Sequence, residues 1–201
     1  MSDREAFETI VKDQLERVKR LAETAELTDY SKLDKIIIGT IDGDGIGPII
    51  MNSCRQILET LLADELAAGK IEIREIPGLT LENRIAKMET VPADVLAAIK
   101  ECHVLLKGPT TTPGKGDNLP NIESANVTLR RELDLFANVR PVKVPDKGID
   151  WTFFRENTEG AYTLGSCGLN VDDDLAFDFT VPTTQGTGRI ARLAYEYARN
   201  T

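Results

Sequence analysis

Histidine, cysteine and aromatic residues are all scarce here, and positive charge is in deficit. The one histidine, His103, follows Cys102 in an apolar run and reads as a structural residue rather than a catalytic base. Three cysteines (Cys54, Cys102, Cys167) are an odd number at wide spacing. They fit neither a disulfide framework nor a zinc site, and point to a reducing, cytoplasmic setting. Lys and Arg total 24 against 33 Asp and Glu, a formal net charge of −9. A chain so acidic lacks the basic face that nucleic acids or anionic membranes require. No apolar run is long enough to span a bilayer. Met1 to Glu8 is polar and acidic, so no secretory or transit signal is expected. Internal repeats and low-complexity tracts are also lacking.

What is present, over 201 residues, is enough chain for a buried core. Ser2 and Glu5 have capping-box spacing, and Phe7, Ile10, Val11, Leu15, Val18, Leu21, Ala22 and Ala25 follow the helical period. This predicts an amphipathic helix packed on the body of the protein, with a partner-binding arm as the alternative. Residues 35–41 form a β-branched run suited to a buried parallel strand. A glycine loop and a helix to Ala68 follow. Residues 70–76 and 102–107 read as strands, and 79–88 and 92–100 as helices. Helix 124–135, strands 136–144, 151–155 and 175–183, and a final helix 185–199 complete the pattern. Alternating strands and helices in the first 110 residues predict a doubly wound α/β layer. The expected organisation is an N-terminal helix (1–30), a doubly wound portion (31–135) and part of a smaller α+β domain (136–201).

Three segments carry the chemistry. In Asp42-Gly-Asp-Gly-Ile-Gly-Pro48, glycines permit close backbone approach ahead of a helix N-terminus. The spacing is not that of a dinucleotide fingerprint, and a tight turn is the simpler reading. The second segment places Lys107 at a strand end, where open α/β sheets locate their ligand crevice. Thr110, Thr111 and Thr112 follow, and Ser124 falls near a helix start. Asn126 and Arg130 share a helix face, and Arg140 ends the next strand. The third segment, residues 154–162, adds Arg155 and Tyr162. Between Lys107 and Arg155 lie eight basic and six acidic residues, a local +2 that leaves −11 for the rest. A positive island in an acidic chain suits a small polyanion, and Arg is the preferred bidentate partner of carboxylate.

Gly43-Asp-Gly-Ile-Gly-Pro48, Lys107-Gly-Pro-Thr-Thr-Thr-Pro113, Ser124-Ala-Asn-Val-Thr-Leu-Arg130, Asp134-Leu-Phe-Ala-Asn-Val-Arg-Pro141 and Arg155-Glu-Asn-Thr-Glu-Gly-Ala-Tyr162 occur in this order. Together they resemble the β-decarboxylating dehydrogenases, the isocitrate/isopropylmalate dehydrogenase family. Ser124 with Asn126 resembles the isocitrate branch. The resemblance implies that Arg130, Arg140 and Arg155 clamp the carboxylates of a malate-type 2-hydroxy acid. It gives Ser124 and Asn126 to the γ-carboxylate arm, and Lys107 to the pocket shared by substrate and cofactor. Tyr162 is the implied acid that protonates the enol. Ile46, Thr111, Thr112 and Asn126 are the implied neighbours of NAD or NADP. The implied reaction is hydride transfer followed by decarboxylation, with Mg²⁺ or Mn²⁺ polarising the new carbonyl.

The chain departs from the family at three places. Ile49 follows Pro48 where the family has Glu. The stretch from Pro113 to Ser124 is longer and carries Lys115 and Asp117. The resemblance also stops short of the family's catalytic lysine, metal-binding aspartates and adenine loop. The expectation is therefore the N-terminal part, or a split subunit, of an isocitrate dehydrogenase-like oxidoreductase. It would need a C-terminal partner carrying the metal ligands, within a homo- or hetero-oligomer. Alternatives are a non-catalytic regulatory or tricarboxylate-binding subunit, part of a homoisocitrate or 3-isopropylmalate dehydrogenase, and a piece of a longer enzyme. Asp172-Asp-Asp174 reads as a solvated loop.

Overall fold

The computed structural model describes residues 3–22, 28–114, 116–164 and 168–201. Ser2, Ala25, Lys115 and Cys167, which entered the sequence reading, lie outside them. The chain divides into two compact units, residues 27–128 and residues 1–26 with 129–201.

The 27–128 unit is built on three parallel strands: β1 (Ile36–Ile41), β2 (Ile71–Glu75) and β3 (Val104–Lys107), in the order β2-β1-β3. Ile38 lies opposite both Ile73 and Val104. The central place falls to β1, whose β-branched residues pack on both faces of the pleat. The long helix expected after the glycine loop is two helices, α2 (Gly47–Leu61) and α3 (Ala63–Ala67), because Leu62 leaves the helical region at φ −108° and ψ 20°. Helix α4 (Leu81–Lys87) starts at Thr80, whose hydroxyl accepts from the Asn83 amide at 3.3 Å. Helix α5 (Ala93–Lys100) begins just after Pro92. Ile41, Met51, Ile76, Leu79, Val95 and Ile99 are almost completely buried and form the centre of this unit. His103 is structural, as expected: its Nδ1 accepts from the Ile37 amide at 3.0 Å. Helix α6 (Ala125–Glu132) carries the chain from one unit into the other.

The second unit contains α1 (Asp3–Ala22), the hairpin of β4 (Ala137–Val144) and β5 (Ile149–Glu156), a two-residue pair β6 (Leu169–Asn170) and β7 (Ala176–Phe177), and α7 (Thr184–Asn200). Pro145–Lys147 and Gly148, at φ +63°, turn the hairpin. Helix α7 begins with Thr183, whose hydroxyl accepts from the Gly186 amide at 2.9 Å. It packs on β5 through Tyr197, whose ring lies 5.2 Å from that of Phe154.

Two expectations need correction here. The strand expected over 175–183 shrinks to β7 and an isolated bridge between Val181 and Gly160. Its apolar alternation is real, but a strand persists only where a neighbour pairs with it. In α1, the more covered side runs through Ala6, Ile10, Gln14 and Arg17. Phe7, Val11, Leu15 and Val18 of the apolar stripe remain largely exposed, although the Phe7 ring lies 5.8 Å from that of Phe179.

Candidate functional site

In the 27–128 unit the glycine loop folds directly onto the loop that follows β3. Gly43 has φ +73°, and a Cβ there would strike the Pro109 carbonyl. A Cβ on Gly47 or Gly108 would strike the Asp42 carbonyl. These glycines therefore serve backbone-to-backbone packing between two loops. The Asp44 amide donates to the Pro109 carbonyl at 2.7 Å. The Asp44 carboxylate accepts from the amides of Leu81 and Thr111, each at 2.7 Å.

Lys107 stands at the end of β3, half-buried. Its Nζ donates to the Gly108 carbonyl at 2.6 Å and to Thr110 Oγ1 at 3.3 Å. Burial pushes the Lys107 ammonium below its usual range, and Asp44 opposes that shift. Thr111 and Thr112 are exposed. The Ile46 side chain is 61% exposed at the start of α2. Ser124 sits at the start of α6, its carbonyl accepting from the Val127 amide at 3.0 Å. Ser124 and Asn126 are half-buried.

In the second unit, Arg130 is half-buried on α6, four residues after Asn126. Arg140 and Arg155 lie on one face of the hairpin. Arg155 is opposite Asn138, Arg140 is opposite Phe153, and residues two apart on a strand share a face. Arg140 Nε donates to Asn138 Oδ1 at 2.8 Å. Arg155 donates to the Tyr162 hydroxyl at 3.3 Å and to Asn157 Oδ1 at 3.2 Å. Its guanidinium lies 5.5 Å from the Tyr162 ring centre. Because Arg155 donates to the phenol oxygen, the phenol's own proton stays free for donation.

Arg17, Arg55, Arg74 and Arg189 each pair with carboxylates. Among the described residues, Arg130, Arg140 and Arg155 form no ion pair, and neither do Arg84, Arg192 and Arg199. Unneutralised guanidinium groups are what an incoming polycarboxylate requires.

Sequence reasoning passed over Arg84 and Asp44. Arg84 is fully buried on α4. It donates to three main-chain carbonyls: Thr90 at 2.8 Å, Thr111 at 2.7 Å and Glu123 at 2.9 Å. Burial lowers its pKa from the ordinary arginine value, and Asp44 counters the shift. A single arginine in a weakly patterned helix carries no sequence signal of this role. The carbonyls it serves lie up to 39 residues away.

For a nicotinamide cofactor, the residues present fit a ring better than a phosphate. The amides of Asp44, Gly47 and Thr111 are already spent inside the loops, whereas Ile46 offers an exposed apolar surface. Among the described residues, no three His, Cys, Asp or Glu side chains gather as a metal site needs. Asp172 accepts from the amides of Asp174 and Leu175 in its own exposed turn. No described helix is long and apolar enough to cross a membrane.

Residues 37–201 match the protein family described as isocitrate/isopropylmalate dehydrogenase. The NADP isocitrate dehydrogenase of Haloferax volcanii is 32% identical over 94% of this chain and 50% of that protein. That of Thermus thermophilus is 36% identical over 81% of this chain and 32% of its own length. Subunit 2 of the mitochondrial NAD isocitrate dehydrogenase of Kluyveromyces lactis is 32% identical over 84% and 44%, respectively. Among solved structures, the TT0538 protein of Thermus thermophilus superposes with a TM-score of 0.65 at 31% identity, covering 86% of this chain and 35% of that one. The chain thus spans about a third to a half of the length of these relatives.

Proposed function

Since this chain belongs to the isocitrate/isopropylmalate dehydrogenase family, we propose that it is the N-terminal part of an NAD- or NADP-dependent isocitrate dehydrogenase-like enzyme. The observation that carries this reading is the placing of Arg140 and Arg155 on one face of the hairpin, both without carboxylate partners like Arg130 on α6, with Arg155 donating to the Tyr162 hydroxyl. In this reading they hold the carboxylates of a malate-type 2-hydroxy acid, isocitrate. Ser124 and Asn126 receive its γ-carboxylate arm. Lys107 adds positive charge that costs little to neutralise, because burial already disfavours its ammonium when no anion is near. Tyr162 delivers the proton to the enol carbon after CO₂ leaves, and Arg155 steadies the phenol oxygen as it becomes negative. Ile46, Thr111 and Thr112 face the nicotinamide, with Asn126 beside it. When bound, NAD or NADP accepts the hydride from the 2-hydroxyl carbon.

We further assign the remaining machinery, including the Mg²⁺ or Mn²⁺ ligands, to a C-terminal partner segment. The exposed apolar residues Ile49, Ile57 and Leu61 along α2 support this assignment.

Calorimetric titration with isocitrate tests the binding half. The expected result is binding that Arg140→Gln and Arg155→Gln each weaken at least tenfold. Equal affinity in wild type and both variants would sink the proposal. An assay with a C-terminal partner added tests turnover. Binding without restored turnover favours a tricarboxylate-binding subunit. Asn126→Leu hurting isocitrate and 3-isopropylmalate equally would overturn the choice of isocitrate.

A further inference from the structure

Thr111 is exposed, yet its main chain is held on both sides of its Cα. Its N–H donates to Asp44 Oδ2 at 2.7 Å, and its carbonyl accepts from Arg84 Nη1 at 2.7 Å. Both holders are also anchored to α4. The second Asp44 oxygen takes the amide of Leu81, the first residue of that helix, and Arg84 lies one turn further along it. The remaining Arg84 donors fix the Thr90 carbonyl and the Glu123 carbonyl just ahead of Ser124. The two bonds fall on the two peptide groups that flank the Thr111 Cα, so a carboxylate fixes one and a guanidinium the other, each through a charge-assisted hydrogen bond.

We propose that Asp44 and Arg84 are paired positioning residues that hold the Thr110–Thr112 loop and the start of α6 in their ligand-ready geometry, acting through the Thr111 main chain and touching no ligand themselves. The claim rests on the proposed function only for what the loop presents, a threonine surface for a nicotinamide nucleotide. Asp44 suits the task because both of its oxygens accept from N–H groups. An Asn there would turn an NH₂ toward one of those donors. Arg84 suits it because its planar fork serves three carbonyls at once, which a Lys ammonium on a single point cannot match.

The test compares the full chain with Arg84→Met, Arg84→Lys, Asp44→Asn and Thr111→Ala. Two readouts are used: residue-resolved amide hydrogen exchange, and NADPH binding followed by nicotinamide fluorescence. Since Thr111 is exposed, its amide protection comes from the Asp44 bond. Asp44→Asn and Arg84→Met are expected to speed exchange at the Thr111 amide at least tenfold and leave the β1 amides unchanged. Both should weaken NADPH binding at least tenfold, with Arg84→Lys recovering part of the loss. Unchanged exchange at Thr111, or β1 amides lost in step with it, overturns the proposal; the latter marks support of the fold alone. Thr111→Ala keeps the peptide clamp, so its loss of NADPH affinity with residue 111 still protected supports the threonine surface. A wild-type chain that binds no NADPH overturns the ligand half of this proposal but not the functional reading, which assigns the remaining machinery to a C-terminal segment, and the exchange comparison then judges the clamp alone.

Discussion

The 27–128 unit and the unit formed by 1–26 with 129–201 are held together by different physics. Among the described residues, nine hydrophobic side chains are buried in the first and only Leu129 and Leu164 in the second. The second unit instead buries Asn157, Thr158, Glu159 and Thr163. Its interior is an ionic web. Arg189 takes both oxygens of Asp134, at 2.6 and 2.9 Å, and lies 4.3 Å from the Phe136 ring centre. Glu159 pairs with Arg17 at 3.0 Å and accepts from the Thr183 amide and hydroxyl. Apolar packing is tolerant of solvent ions and indifferent to direction, while a charged web fixes geometry and fails when one member is lost. Arg140 and Arg155 stand in this same unit outside that web, without carboxylate partners.

Four substitutions or titrations sharpen or break this contrast. The largest effect is expected from Ile41→Ala in the packed unit, 1% exposed in the wild type, with a loss of about 2–5 kcal/mol seen by denaturant unfolding. Next comes Arg189→Met, which strands Asp134 and should cost less than the ~3 kcal/mol of a fully buried pair, because Asp134 is partly exposed. Hydrogen exchange should place that loss in residues 129–201 and spare β1; uniform loss across both units would dissolve the distinction. Thr183→Ala removes the α7 cap and one Glu159 contact, and should lower stability by about 1 kcal/mol.

The smallest effect is a pH dependence. Lys107 is held below its usual range by burial, so the unfolded chain binds the proton more tightly than the folded one. Stability should therefore rise as pH climbs through the depressed folded value toward the unfolded value of about 10.4. Lys107→Met should abolish that rise, and a rise of the same size in the variant would assign it to another group.

Legibility in the sequence follows the same division. The parallel strands and the amphipathic α5 declare themselves through β-branched runs and period, because apolar packing writes itself into local pattern. The motifs around Lys107, Arg130, Arg140 and Arg155 were readable as chemistry because Arg and hydroxyl residues recur where an anion is expected. The web around Glu159 and the clamp around Thr111 were not. Their partners lie far apart in sequence, and no period links Asp44 to Thr111 or Arg17 to Glu159. The run at 175–183 looked like a strand because alternation reports a two-sided surface. It cannot report whether a neighbouring strand is there to pair.

One consequence lies in the order of synthesis. The second unit is discontinuous: α1 is made before the 27–128 unit, and its contact from Arg17 to Glu159 closes only after 142 further residues. The 27–128 unit is contiguous and can fold while the rest is still being made. At about 5–20 residues per second, Arg17 waits roughly 7–28 s for its carboxylate partner, until the whole β4–β5 hairpin has been made. The discontinuous unit is thus completed only after the contiguous one has had time to fold.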